Sequence, residues 1–211
     1  MTFACATLKT KMAGVVIVDQ PEHLSAFMQP DCAAAIWRRR STADFQKWVS
    51  ALSPSQLPQG RVIVQPNAVR SIVTELCEIA DTPACTHRDQ LIDDITVLSE
   101  IFTDLMKSPY LRLRLQAVTN NACRKFHVDA IAARLVCTYR GTGTQYGVST
   151  NGRNPEQVFS TPTCAPILLR GTHWPETPSS GLLHRSPPIE GTGQTRLVLV
   201  LDQMFDHENT R

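Results

Sequence analysis

The sequence predicts an α+β protein: a helix-rich part over residues 1–109, then a β-rich core over residues 110–206, in a single domain spanning residues 1–211. Three observations predict it. Apolar side chains recur at helical spacing up to residue 105, the spacing switches to two at Tyr110, and the later apolar runs are short and bounded by Gly- and Pro-rich turns. With 42% hydrophobic and 19% charged residues and a net charge of +2, the chain has the make-up of a soluble domain and no charge-based reason to bind nucleic acid.

Each element follows in order. Gly14 to Val18 has the composition of a short strand. In "STADFQKWVSALSPSQLPQG", residues 41–60, Ser41 or Thr42 can cap a helix that Pro54 ends. "RVIVQP" (61–66) is a short strand and "AVRSIVTELCEIAD" (68–81) a helix. "THRDQLIDDITVLSEIFTDLMKS" (86–108) carries Leu91, Ile95, Leu98, Phe102 and Leu105 at steps of four and three, one apolar stripe to be laid on a sheet, with Thr86 and Asp89 spaced as a capping box. From Tyr110, Leu111, Leu113 and Leu115 alternate with Arg112, Arg114 and Gln116, the pattern of a strand covered on one face. "AARLVCTY" (132–139), closed by "RGTGT", and "APILLRG" (165–171) are further strands, and "RLVLVLD" (196–202) is apolar throughout, as a strand buried on both faces must be. Two long loops, residues 147–164 and 172–181, are placed to line a site, and "DHENTR" (206–211) is expected to be a solvated tail.

Compartment and redox chemistry follow from composition. Lys9 and Lys11 fall inside what would be the apolar core of a signal peptide, and no later run is long enough to span a bilayer, so a cytoplasmic location without membrane association is expected. The seven cysteines are scattered, without a C-x-x-C pair, which points to reduced thiols rather than a disulfide framework or zinc ribbon. The glycines of "GTGT" lead into a loop and not a helix, and neither a P-loop nor a G-x-S-x-G elbow is present.

The chemistry-bearing stretch is "CRKFHVDAIAARLVCTYRGTGT" (123–144). On an extended strand His127 and Asp129 would share a face, presenting an imidazole beside a carboxylate. An open metal site for Fe(II) needs a second histidine, which His184 in "GLLHRSPPIEGTGQTRLVLVLD" (181–202) supplies. Arg196 opens a buried apolar strand, where a bound carboxylate would be a natural partner for its guanidinium. Arg185 would point away from the face of His184, and Arg134 would lie opposite Asp129 in an unbroken strand unless a bulge turned it inward. Ser186 would share a face with His184, and Thr138 and Tyr139 could hydrogen-bond a bound carboxylate. Structural roles compete with each of these: His127 and Asp129 as a strand-edge pair, His184 as a loop-orienting residue, His173 as an exposed loop side chain. Cys123 and Cys137 flank the block and would favour zinc if they served as ligands. Trp37 with Arg38, Arg39 and Arg40 is either an ion-pair region or a pocket wall.

H-x-D, a later His, then an Arg about a dozen residues on resembles the arrangement of Fe(II)/2-oxoglutarate-dependent oxygenases. That resemblance implies a C-terminal double-stranded β-helix, a cupin-like jelly roll, with His127, Asp129 and His184 as iron ligands and Arg196 binding the distal carboxylate of 2-oxoglutarate. "AIWRRR" (35–40) and the two longer blocks are also similar to the DUF1826 family of bacterial proteins of unknown function. In that family the turn after the second block usually continues into an acidic residue and an aromatic, where this chain has Gln145 and Tyr146. The expectation is an oxygenase acting on a small molecule or a protein. The alternatives are a non-redox protein that holds zinc or iron at the same three residues as sensor, buffer or chaperone partner, and a metal-free cupin-like binding module.

Overall fold

The structure is a computed structural model that describes residues 14–150, 152–175 and 181–205. Lys9, Lys11, much of the 172–181 loop and the expected tail at 206–211 lie outside the described residues. The elements run β1 (Val15–Val18), β2 (Ala34–Trp37), α1 (Ala43–Ala51), β3 (Gly60–Val64), α2 (Val69–Ile79), α3 (Thr86–Met106), β4 (Tyr110–Val118), β5 (Ala133–Arg140), β6 (Gln145–Val148), β7 (Phe159–Ser160), β8 (Ile167–Arg170), β9 (Leu182–Arg185) and β10 (Arg196–Met204).

Local chemistry sets the helix ends. Thr42 accepts a hydrogen bond from the Phe45 N–H at 3.3 Å, satisfying one of the orphan donors of α1, and the chain returns to extended backbone at Leu52 before Pro54. The capping box expected at Thr86 and Asp89 does not form: Cys85 is the N-cap, without a side-chain cap bond, and Asp89 lies in the first turn, where its charge favours the positive end of the helix. Lys107 ends α3 in the left-handed region, at φ 51.

A seven-stranded sheet has the order β1-β2-β8-β5-β10-β4-β3, parallel at β1–β2 and antiparallel elsewhere, and a three-stranded sheet has the order β7-β6-β9. β1, β2 and β3 come from the helix-rich first part, so the two parts of the chain share one sheet. β2, β6 and β7 escape the sequence pattern because each is two to four residues long and held by its pairing partner rather than by its own alternation.

The two faces of the large sheet bury different cores. Leu111, Leu113 and Leu115 of β4, Leu135, Cys137 and Tyr139 of β5, and Leu197, Leu199 and Leu201 of β10 pack with Phe45, Val73, Leu91, Ile95, Leu98 and Phe102 of the helices. On the opposite face Val136, Ile167, Leu169 and Val198 meet Tyr146 and Leu182 of the small sheet. β10 is apolar on both faces because it lies inside the sheet between both cores. Even-numbered residues of β4, β5 and β10 therefore look toward the small sheet, and a polar one there enters whatever space the sheets leave.

Leu199 is fully buried on the helix side. Leu199→Ala should lower unfolding free energy by about 2–5 kcal/mol through lost transfer energy and a residual cavity, measurable as a fall in denaturant midpoint at unchanged slope; a change within 0.5 kcal/mol or so would contradict this assignment of the core.

Candidate metal centre and its arginine-lined pocket

His127 and His184 are brought together by backbone. Each N–H donates to the other's carbonyl at 3.0 Å, an isolated antiparallel bridge that continues the β6–β9 pairing and sets the two rings 4.5 Å apart, centroid to centroid. The single strand expected to carry His127 and Asp129 is absent, since only His127 is bridged. Beyond Asp129 the chain bends at residues 130–132, and the end of β8 clamps the bend: Thr172 N–H donates to Asp129 O at 2.9 Å, Gly171 N–H to Ala132 O at 2.8 Å and His173 N–H to Ile131 O at 3.0 Å. Gly171 is needed for this approach, because a Cβ there would lie 2.0 Å from the Ile131 carbonyl oxygen.

One ligand atom from each of His127, Asp129 and His184 lies within 4.8 Å of the others, a cluster of side chains suited to a metal. The hydrogen bonding around it favours a cation at the centre. His127 Nδ1 faces the Lys125 carbonyl at 2.8 Å; a carbonyl can only accept, so Nδ1 carries a proton and Nε2 is the ring nitrogen turned to Asp129 Oδ1, 3.5 Å away. His184 Nε2 is 3.0 Å from Asp129 Oδ2, yet that buried oxygen accepts no properly aligned hydrogen bond. Burial works to raise the Asp129 carboxyl, but His127, His184 and Arg134 hold it well below the usual carboxylate range. Burial pushes His184 down, and the Asp129 contact pushes His127 up. A charged carboxylate between two imidazoles, with an orphaned oxygen, fits a divalent cation.

Arg134 reaches this centre, contrary to the strand-parity argument, because the 130–132 bend breaks the alternation. Its Nη1 lies 2.5 Å from Asp129 Oδ1, while Nε and Nη2 donate to Asp202 Oδ1 and Oδ2 at 2.6 and 2.9 Å. Asp202 is 2% exposed and stands opposite Arg134 in the β5–β10 register.

Arg196 differs. It is 2% exposed, its Nε donates to the Thr142 carbonyl at 2.7 Å and its Nη2 to Thr138 Oγ1 at 3.3 Å, and no carboxylate among the described residues pairs with it. Burial pushes it down to about 10. A guanidinium desolvated to this degree with only neutral partners is electrostatically suited to an anion. Arg196, His127, His184, Arg134 and Ser186 line one pocket between the sheets, with Val136 and Val198 as apolar wall.

Tyr139 is not brought to this pocket. Odd-numbered on β5, it lies on the helix side, where its hydroxyl donates to Asp94 at 2.7 Å beside the Arg39–Asp94 ion pair. Cys137 is buried on the same side, whereas Cys123 is exposed at the pocket mouth. Arg185 stacks on Phe126, 4.3 Å from the ring centroid, and donates to Gln145. The His173 side chain is exposed. Arg38 and Arg39 pair with Asp19 and Asp94, which makes the basic cluster an ion-pair region. The sequence reading passed over Asp202 and Arg114; the available signal was an acid closing an apolar buried strand, which requires a cationic partner.

The fold is that of a mixed α+β protein with a large sheet, similar to 2-oxoglutarate oxygenase jelly-roll folds. Among solved structures, the 2-oxoglutarate binary complex of dioxygenase for auxin oxidation 1 from Arabidopsis thaliana matches at TM-score 0.56 with 10% identity, over 92% of this chain and 93% of that one, which shows a shared fold. An oxidoreductase of the 2OG-Fe(II) oxygenase family from Burkholderia pseudomallei (TM-score 0.46, 14% identity, 91% and 95% covered) and full-length Neurospora crassa T7H in complex with alpha-KG (0.47, 11%, 97% and 89%) also match, too distantly to add to the fold comparison. The chain belongs to the DUF1826 family, described as a protein of unknown function, whose model matches residues 18–202. No curated protein sequence matches it.

Removing the Asp202 charge strips the buried Arg134 of its bidentate partner and leaves Asp129 as its one carboxylate. Asp202→Asn should cost about 3–5 kcal/mol of stability, read from denaturant unfolding; a loss below about 1 kcal/mol would show that the pair is solvated.

Proposed function

We propose that this chain is an Fe(II)/2-oxoglutarate-dependent oxygenase whose two sheets form a double-stranded β-helix, acting in the cytoplasm. The observation that carries the reading is the convergence of His127, Asp129 and His184, with His127 Nε2 turned to the carboxylate and an orphaned oxygen on Asp129. No described helix is long and apolar enough to cross a membrane.

In this reading His127 Nε2, His184 Nε2 and Asp129 Oδ2 hold the iron. When bound with 2-oxoglutarate, the metal supplies the chemistry that couples oxidative decarboxylation of the cosubstrate by dioxygen to oxidation of a second substrate. The chain's own residues set the conditions. Arg134 occupies Asp129 Oδ1, which would leave Oδ2 as the oxygen available to a metal. The Lys125 carbonyl fixes the His127 tautomer. Arg196 receives the distal carboxylate of 2-oxoglutarate, with Thr138 Oγ1 orienting the guanidinium and Ser186 lining the same space. Val136 and Val198 exclude water from one wall, which strengthens the ion pair Arg196 makes with its ligand.

Anaerobic addition of Fe(II) and 2-oxoglutarate should produce a charge-transfer absorption, and admission of oxygen should release succinate; His184→Ala should abolish both. Metal bound with neither signal would favour a non-redox zinc or iron protein, and an absence of metal binding would favour a metal-free module. Arg196→Gln should raise the dissociation constant for 2-oxoglutarate by about 10–100-fold in a calorimetric titration, with Fe(II) affinity unchanged; an equal loss of both would assign Arg196 a structural role.

A further inference from the structure

The pocket holds more positive charge than metal and cosubstrate chemistry uses. On the pocket-facing side of β4 stands Arg114, and directly across the β3–β4 pair stands Arg61. Like charges at facing cross-strand positions destabilise a sheet. Arg114 is poorly compensated. Its Nη2 comes only within 3.5 Å of Asp202 Oδ2, an oxygen that already accepts from Arg134 at 2.9 Å, and its Nε is buried without a hydrogen-bond acceptor. Burial lowers its pKa; Asp202 works against that, and the neighbouring Arg134 and Arg61 add to it.

The charge balance persists when the site is loaded. Fe(II) and the 2-oxoglutarate dianion cancel, which leaves Arg114, Arg134, Arg185 and Arg196 on the pocket wall, with Arg61 exposed across from Arg114, against the carboxylates of Asp129 and Asp202. Arg124 and Lys125 are exposed on the segment that leads to His127, and Glu190 is hydrogen-bonded to Asn121 at 2.8 Å. Arg114 also stands apart from Arg196. In the β4–β10 register Arg196 faces Val118 and Arg114 faces Val200, four residues along, or about 13 Å of strand. The two side chains therefore enter the pocket from well-separated strand positions.

We propose that Arg114, assisted by Arg61, binds an oxyanion of the substrate, a phosphate or carboxylate, while 2-oxoglutarate occupies Arg196. The substrate class is thus an anionic small molecule, which rests on the oxygenase reading above. An arginine fork matches either oxyanion with paired N–H donors, and an anion in the pocket offsets both the desolvation of Arg114 and the Arg61–Arg114 repulsion.

Calorimetric titration of the full-length chain with inorganic phosphate, and separately with acetate, under argon with Fe(II) and saturating 2-oxoglutarate tests this. At least one anion should bind while 2-oxoglutarate stays bound. Arg114→Gln should weaken that binding about tenfold or more, Arg61→Gln should weaken it by a smaller factor, and Arg114→Lys should retain part of it. The 2-oxoglutarate affinity of Arg114→Gln should match that of the parent, and its melting temperature should not fall, since a poorly compensated cation is removed. If phosphate and acetate bind only when 2-oxoglutarate is absent, or bind the Arg114 variants as tightly as the parent, the inference is wrong. Repeating the titration on metal-free Arg196→Gln protein separates the two claims. Anion binding there that is lost on adding Arg114→Gln supports the oxyanion site even where 2-oxoglutarate fails to bind. Cosubstrate binding with no second anion overturns the inference alone.

Discussion

The pocket depends on the buried pair of Arg134 and Asp202. Two short hydrogen bonds join β5 to β10 on the face between the sheets, and they place the third guanidinium nitrogen against Asp129. Without Asp202, Arg134 would be a desolvated cation free to take both oxygens of Asp129, and the carboxylate would have none left for a metal. With it, one oxygen is occupied and the other faces His184. Such a pair is expensive to bury, and what it supplies in return is the geometry it imposes on Asp129.

The same face sorts arginines by their partners. Arg134 is spent on two carboxylates, Arg185 on Phe126 and Gln145, and Arg196 has only a carbonyl and a hydroxyl. Arginine is suited to all of these tasks because it stays charged when buried and presents a rigid set of donors. Which arginine can receive an added anion therefore follows from its neighbours rather than from its strand.

Much of this was legible in the sequence. The stripe of α3, the alternation of β4 and the doubly apolar β10 follow from periodicity, and all three survive because each is long enough for burial to dominate its conformation. The triad was legible as H-x-D plus a distant histidine, although the expected reason, two side chains on one strand face, is replaced by a backbone bridge to His184 and a clamped bend. That bend is set by contacts to Gly171 and Thr172, remote in sequence, and it also reverses the parity argument for Arg134. Tyr139 shows the opposite case: simple alternation from Thr138 places it on the helix side, and strand proximity to the triad was the weaker guide. Asp202 was visible as an acid closing an apolar strand, but its partner required the β5–β10 register. β6 and β7 owe their form to pairing alone and left no periodic trace.

In the proposed function, the triad and Arg196 together make one site for a divalent metal and a dicarboxylate. A crystal structure of the chain grown anaerobically with Fe(II) and 2-oxoglutarate, with the metal located by anomalous scattering, is the decisive measurement. One ion is expected at about 2.0–2.2 Å from His127, His184 and a single oxygen of Asp129, with the distal carboxylate on Arg196. An ion elsewhere, or a carboxylate seated on Arg185 or Arg134 with Arg196 still turned to Thr138 and Thr142, would contradict it.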